Sequence, residues 1–190
     1  MTTATPPRTR KAGARDRLIE AAERLFYAEG IHAVGVDRLC AEAGVSKRSL
    51  YQHFSGKDEV VVAMLQAQAA KTAALLLPEG GSPRERILAV FDAVRAQADE
   101  PDFRGCPFLG AATELKDRDH PAVRVACEQK VGLTAYFAQA VREGGGSDPE
   151  GLALQLVLLF DGASAYSTVR GGSTPATRQA VETLLGAHGM

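Results

Sequence analysis

A chain of 190 residues, 45% hydrophobic and 24% charged, has room for one generous domain or two small ones and for a core that needs neither disulfide nor structural metal. That composition excludes the disordered and membrane-embedded classes. The formal charge of −1 hides a segregation: residues 1–60 carry ten basic and eight acidic side chains, and residues 61–190 carry twelve and fifteen.

Met1 to Gly13 is polar and Pro-containing, with Arg8, Arg10 and Lys11 and no apolar run behind them, so it is not a secretory signal. Residues 1–12 read as a flexible basic arm. Strand signals are almost absent, because nothing alternates with period two and no Asn-Gly or Asp-Gly turn is flanked by β-branched residues. Helical periodicity dominates instead. In Ala14–Glu29 the apolar positions Leu18, Ile19, Ala22, Leu25 and Phe26 form one stripe, and Gly30 ends the helix with a left-handed residue. Val36–Ala43 is a short second helix, Gly44-Val45-Ser46 a tight turn, and Lys47–Phe54 a third helix capped by Ser46, with Leu50 and Phe54 inward. Ser55-Gly56 breaks the chain, and a fourth helix runs from Lys57 to about Leu77, opened by Asp58 and Glu59 at its positive end. Further helices are expected at Pro83–Asp99, Phe108–Lys116, Pro121–Glu143, Pro149 to about Val169, and Pro175–Ala187. The fold class is therefore all-α with about nine helices, divided into residues 13–57 and residues 58–190.

Val36 to Phe54 is the informative constellation. Two short amphipathic helices joined by Gly-Val-Ser form a helix-turn-helix, braced by the helix before them, and the second helix of such a pair enters the major groove. Its exposed face offers Lys47, Arg48, Ser49, Tyr51, Gln52 and His53. Arg or Lys addresses guanine, Gln addresses adenine, and hydroxyls serve bases or phosphates. Lys57 adds a cation where a phosphate would lie, and the arm Arg8–Lys11 is placed to follow the backbone or the minor groove. Between Arg8 and Lys57 ten basic residues face six acidic ones.

This stretch resembles the TetR/AcrR-type transcriptional regulators. The match runs through Arg17-Leu-Ile-Glu-Ala-Ala-Glu-Arg-Leu-Phe26, Gly30, Val36-Asp-Arg-Leu39, Ala41-Glu-Ala-Gly-Val-Ser-Lys47, Ser49-Leu-Tyr51, His53-Phe54 and Lys57, about a quarter of the chain. The resemblance implies a homodimeric repressor on double-stranded operator DNA, released by a small-molecule effector bound in a C-terminal ligand-binding and dimerisation domain. Two departures weaken the expected phosphate anchoring. Val34-Gly35 stands where the family commonly has Thr or Ser, and Gly56 stands where it commonly has Ser.

Residues 61–190 show no catalytic set. His32, His53, His120 and His188 lie far apart, no metal-ligand spacing occurs, and no cofactor is expected. The eighth helix is apolar nearly all round, so one face needs a partner beyond its own domain. The expected dimer residues are Leu156, Leu159, Phe160 and Ala163, with Val181, Leu184 and Leu185 of the ninth helix, forming a two-fold four-helix bundle. Residues 151–169 carry Asp161 as their only charge, but Gln155, Gly162, Ser164, Ser167 and Thr168 favour burial against protein over lipid. The family keeps its pocket among helices four to seven, and the candidate lining is Phe91, Phe103, Cys106, Phe108, Leu109, Thr113, Tyr136 and Phe137. Cys40, Cys106 and Cys127 form no Cys-x-x-Cys, which fits a reducing cytoplasm. Cys106 sits at an irregular junction beside Arg104, an arrangement that activates thiols. The alternative function is accordingly a thiol-based redox or electrophile-responsive regulator, or an enzyme, using Cys106.

Overall fold

The computed structural model describes residues 13–78 and 80–190. The basic arm lies outside the described residues. The helices are α1 (Ala14–Glu29), α2 (Val36–Ala43), α3 (Lys47–His53), α4 (Lys57–Leu76), α5 (Pro83–Ala98), α6 (Pro107–Leu115), α7 (Pro121–Glu143), α8 (Pro149–Arg170) and α9 (Pro175–Ala187). The expected boundaries hold to within one residue. Phe54 is the one buried residue that falls outside its expected helix, because it caps α3 in an extended conformation.

Local chemistry explains these ends. Proline opens α5, α6, α7, α8 and α9, where its missing N–H costs no helical bond. Ser82 and Glu85 form a reciprocal capping box at α5, and Asp148 and Thr174 accept the first amides of α8 and α9. Gly30 ends α1 with φ 90° but ψ 156°, so the residue has the positive φ expected of glycine and an extended rather than left-handed helical ψ.

Two cores hold the molecule together. The first joins Leu18, Leu25 and Phe26 of α1, Leu39 of α2, Leu50 of α3 and Val60 to Leu65 of α4 to Phe108 of α6 and Ala126 of α7. This core crosses the boundary expected between residues 57 and 58. The second joins Ile87 and Phe91 of α5, Leu133 and Phe137 of α7, Leu152, Leu156 and Phe160 of α8, and Val181 and Leu185 of α9. Cys106 packs partly against both, at the N-cap of α6. Helix α8 is long and apolar enough to cross a membrane by length and composition, yet its inner face is spent on this second core.

Candidate nucleic-acid interface and internal cavity

The turn between α2 and α3 is built as its sequence requires. Gly44 takes φ 61°, ψ 42° and sends its amide back to Ala41 and Cys40, a conformation in which a β-carbon would be strained. Val45 packs against the first core, and the Ser46 hydroxyl accepts the Ser49 amide at 3.1 Å. Leu50 is fully buried, which fixes the rotation of α3 about its axis. The opposite face therefore points outward: Arg48, Tyr51, Gln52 and His53 are exposed, and Ser49 is half-buried beside them.

Two of the expected DNA contacts have other partners. Lys47 forms an ion pair with Asp37 across the turn, and the hydrogen bond its ammonium donates to the Asp37 carboxylate raises its pKa. Lys57, half-buried, donates to the Ile31 carbonyl at 2.9 Å, so in this structure it secures the segment between α1 and α2. Arg24 and Arg38 are likewise paired, to Glu42 and Glu29. Among the described residues of α2 and α3, Arg48 is the cation without a carboxylate partner.

The two glycine departures have visible consequences. Neither Gly35 nor Gly56 gives its helix a side-chain cap. Glu59 in the first turn of α4 instead accepts the amide of Ser55, just before the N-cap, at 2.6 Å, and that bond holds its carboxyl below the usual range. Gly35 has extended φ −87° and ψ 167°, with open space where a β-carbon would stand. Gly35→Ser should therefore add a cap, raise stability by a few tenths of a kcal/mol, and tighten DNA binding in a gel-shift titration. An unchanged or weaker gel shift would show that no phosphate passes the start of α2.

Above this frame lies a cavity of about 700 Å³, walled by α1, α4, α5, α6, α7 and α8 and by the segment 102–106. Of the expected lining, Phe103, Cys106 and Phe108 face it. Phe91 and Phe137 do not; they stack with centroids 5.9 Å apart inside the second core. Tyr136 stands edge-on to Phe137 and donates its hydroxyl to the Pro78 carbonyl at 2.8 Å. Leu109 and Thr113 lie one turn apart on the other side of α6, because Phe108, Ala111 and Glu114 take its inner side. The sequence reading missed Phe26, Tyr27, Met64, Glu114, Lys130 and Phe160, which also line the space. One signal was available: Asp161, the lone charge of an apolar stretch, is paired to Lys130.

Two links tie the cavity wall to the frame of α1–α3. Glu114 of α6 accepts the amides of Ile31 at 2.9 Å and His32 at 2.6 Å, and also meets His32 Nδ1 at 3.0 Å. Gly30 makes room for that carboxylate, since a β-carbon there would lie 3.2 Å from Oε1. Tyr27 of α1 accepts the Arg104 amide at 2.8 Å and donates to the Gly105 carbonyl at 3.0 Å. Arg104 turns its guanidinium to the carbonyls of Pro101 and Phe103; the cation that touches Cys106 Sγ is Lys130, at 3.5 Å. No group of three or more His, Cys, Asp or Glu side chains with metal-site spacing stands among the described residues.

The expected dimer residues also need correction. Leu156, Phe160, Val181 and Leu185 are buried in the chain's own second core, and Leu159, Ala163 and Leu184 pack against it. A helix that is apolar all round has two faces to offer, and the four of these on α8 belong to the inner one, while Val181, Leu184 and Leu185 of α9 pack on the same core. The outer face of α8 carries Leu154, 57% exposed, Leu158, 72%, Tyr166, 45%, and Val169, 82%, with Gly162 and Ala165 between them.

Residues 18–64 match the profile of bacterial regulatory proteins of the tetR family. The transcriptional regulator TtgR of Pseudomonas putida is 31% identical over 165 residues, covering 78% of this chain and 77% of its own. Among solved structures, SAV143 of Streptomyces avermitilis, described as a TetR transcriptional regulator, is 48% identical, with a TM-score of 0.89 over 94% of this chain and 100% of its own. SCO4454, a TetR-family regulator of Streptomyces coelicolor, is 31% identical, with a TM-score of 0.86 over 95% and 92%. These relatives are transcriptional regulators rather than thiol enzymes. With the helix-turn-helix and the nine described helices in the same arrangement, the chain belongs to the TetR family of helix-turn-helix transcriptional regulators.

Proposed function

We propose that this protein is a cytoplasmic repressor that binds operator DNA as a homodimer and releases it when a small molecule fills the cavity. The observation that carries this reading is the Glu114 bridge: one carboxylate lines the cavity and holds the two amides that follow α1. An effector that displaces α6 acts directly on the frame that orients α3. It shifts the balance only by its differential affinity for the two arrangements. Residues 58–190 would supply the cavity and the dimer contact, and the outer face of α8 fits that contact better than the inner face. A two-fold pairing would set two α3 helices about 34–36 Å apart, one turn of the double helix.

On the DNA side we assign base reading to Arg48 and Gln52, and backbone contacts to Lys47, Ser49, Tyr51 and His53. Lys57 acts mainly by holding the α1–α2 segment. Selection of bound sequences from a random duplex pool, followed by titration at rising salt, tests the reading. A specific site whose affinity falls steeply with salt is expected. Arg48→Ala should cost about tenfold on the selected site and relax the preference at one base position. Equal loss on selected and random duplexes would make Arg48 a backbone contact. A wild-type dimer with no preferred sequence would make the chain a ligand-binding module without an operator.

A further inference from the structure

The polar groups of the cavity wall are of two kinds. The charged ones are already engaged. Both oxygens of Glu23 accept from the Lys71 ammonium, Arg24 pairs with Glu42, and Lys130 pairs with Asp161. Glu114 accepts two amides and meets the His32 ring, and Asp102 and Arg104 are exposed neighbours of opposite charge. The neutral groups are not engaged. Gln68 and Thr72 of α4, Gln97 of α5 and Gln129 of α7 line the same space, are half-buried, and make no side-chain hydrogen bond among the described residues. Thr72 differs in this from Thr113, Thr134, Thr168 and Thr183, whose hydroxyls each donate to the carbonyl one turn back. Phe26, Met64, Phe103, Phe108, Leu133 and Phe160 supply hydrocarbon to the same lining.

We propose that the cavity selects uncharged, ring-based molecules that carry amide or hydroxyl groups, with Gln68, Thr72, Gln97 and Gln129 as the residues that set this preference. This deepens the effector reading above and rests on it only for the consequence at DNA. An ion that enters must leave its water for a wall in which each charge already has a partner, and a buried charge without a partner of its own is costly. Lys130 is no exception, because Asp161 neutralises it. A pure hydrocarbon avoids that cost but meets another. It displaces water from four polar side chains and returns no hydrogen bond to them. An amide or hydroxyl on the ligand both donates and accepts, as do the side chains of glutamine and threonine, so each pairing is satisfied without any net charge. Gln68 and Thr72 stand one turn apart on the same face of α4, close enough to share one ligand group. Gln97 and Gln129 approach from two other helices, so the polar contacts fix the orientation of the ligand while the apolar lining supplies buried area.

The test uses the full chain without DNA and matched ligands built on naphthalene and on anthracene: the carboxamide, the carboxylate, the aminomethyl cation and the parent hydrocarbon, each titrated by fluorescence. In at least one of the two sets the carboxamide should bind about tenfold or more tighter than either ion, and about threefold or more tighter than the hydrocarbon. Gln68→Met together with Thr72→Val keeps the size of both side chains and should weaken the carboxamide by about tenfold while leaving the hydrocarbon unchanged or tighter. The unliganded melting temperature should not fall, since neither side chain has an intramolecular bond to lose. Gln97→Met should show the same pattern, with a loss of about threefold, and serves alone if the double variant fails to fold. An ion that binds as tightly as its carboxamide overturns the proposal, as does a carboxamide no tighter than its hydrocarbon. Equal loss of every ligand in the variants, or no binding by either carboxamide, overturns it as well. Operator binding is measured separately. A carboxamide that binds yet leaves the operator complex intact refutes the effector reading and leaves the selectivity of the cavity standing.

Discussion

Leu154→Asp together with Leu158→Asp is expected to yield a folded monomer by light scattering and to weaken operator binding by about a hundredfold or more. The two leucines lie one turn apart on α8 and are 57% and 72% exposed, so neither supports the fold of its own chain. They join Tyr166 and Val169 in an apolar strip with Gly162 and Ala165 between, where small residues let a second helix approach closely. Contiguous exposed apolar surface of this kind marks an interaction site. Two carboxylates on that strip, facing two more across a two-fold axis, would be desolvated without partners. DNA affinity then falls because each half-site must be bound without help from the other. Leu156→Asp is the contrast: Leu156 is completely buried, so the same change there should unfold the chain rather than divide the dimer. A double variant that remains dimeric at micromolar concentration would move the interface off α8.

The helix boundaries and the helix-turn-helix were legible because their causes are local. Ser46, Gly44, the capping box at Ser82 and the prolines at five helix starts act within four residues of themselves. The outward face of α3 was equally legible, since one buried leucine in seven residues leaves only one way to turn it. The cavity was not. Its lining comes from six stretches of chain, and periodicity says which side of α6 is apolar without saying that α1 and α8 complete the space. Lys57 shows the same limit: a cation at the start of α4 invites a phosphate, but the carbonyl of Ile31, twenty-six residues earlier, receives it. On α8, apolar on both faces, composition could not say which face the chain's own core would take. The choice came from α5, α7 and α9, whose shared core takes in Leu156 and leaves Leu158 bare.

Glu114→Ala should lower the unfolding free energy by about 2–4 kcal/mol, read by urea titration, because it leaves the Ile31 and His32 amides without their acceptor. Hydrogen exchange at those two amides should rise with it. Burial works against the charge of Glu114, but the amides of His32 and Ile31 and the His32 ring together outweigh burial and hold the carboxyl below the ordinary glutamate range. A depressed folded-state value sets the sign of the pH dependence. The bridge contributes fully above the unfolded value of about 4.3, and its contribution is lost as pH falls through the lower folded value. Wild type and Glu114→Ala should therefore differ most at neutral pH and converge in acid. Glu114→Gln keeps a carbonyl for one amide but turns an N–H₂ toward the other, so it should recover only part of the loss and show none of the convergence that comes from titrating residue 114. A difference between wild type and Glu114→Ala that persists unchanged well below pH 4 would mean that the bridge holds equally well with a neutral carboxyl and that the charge contributes nothing.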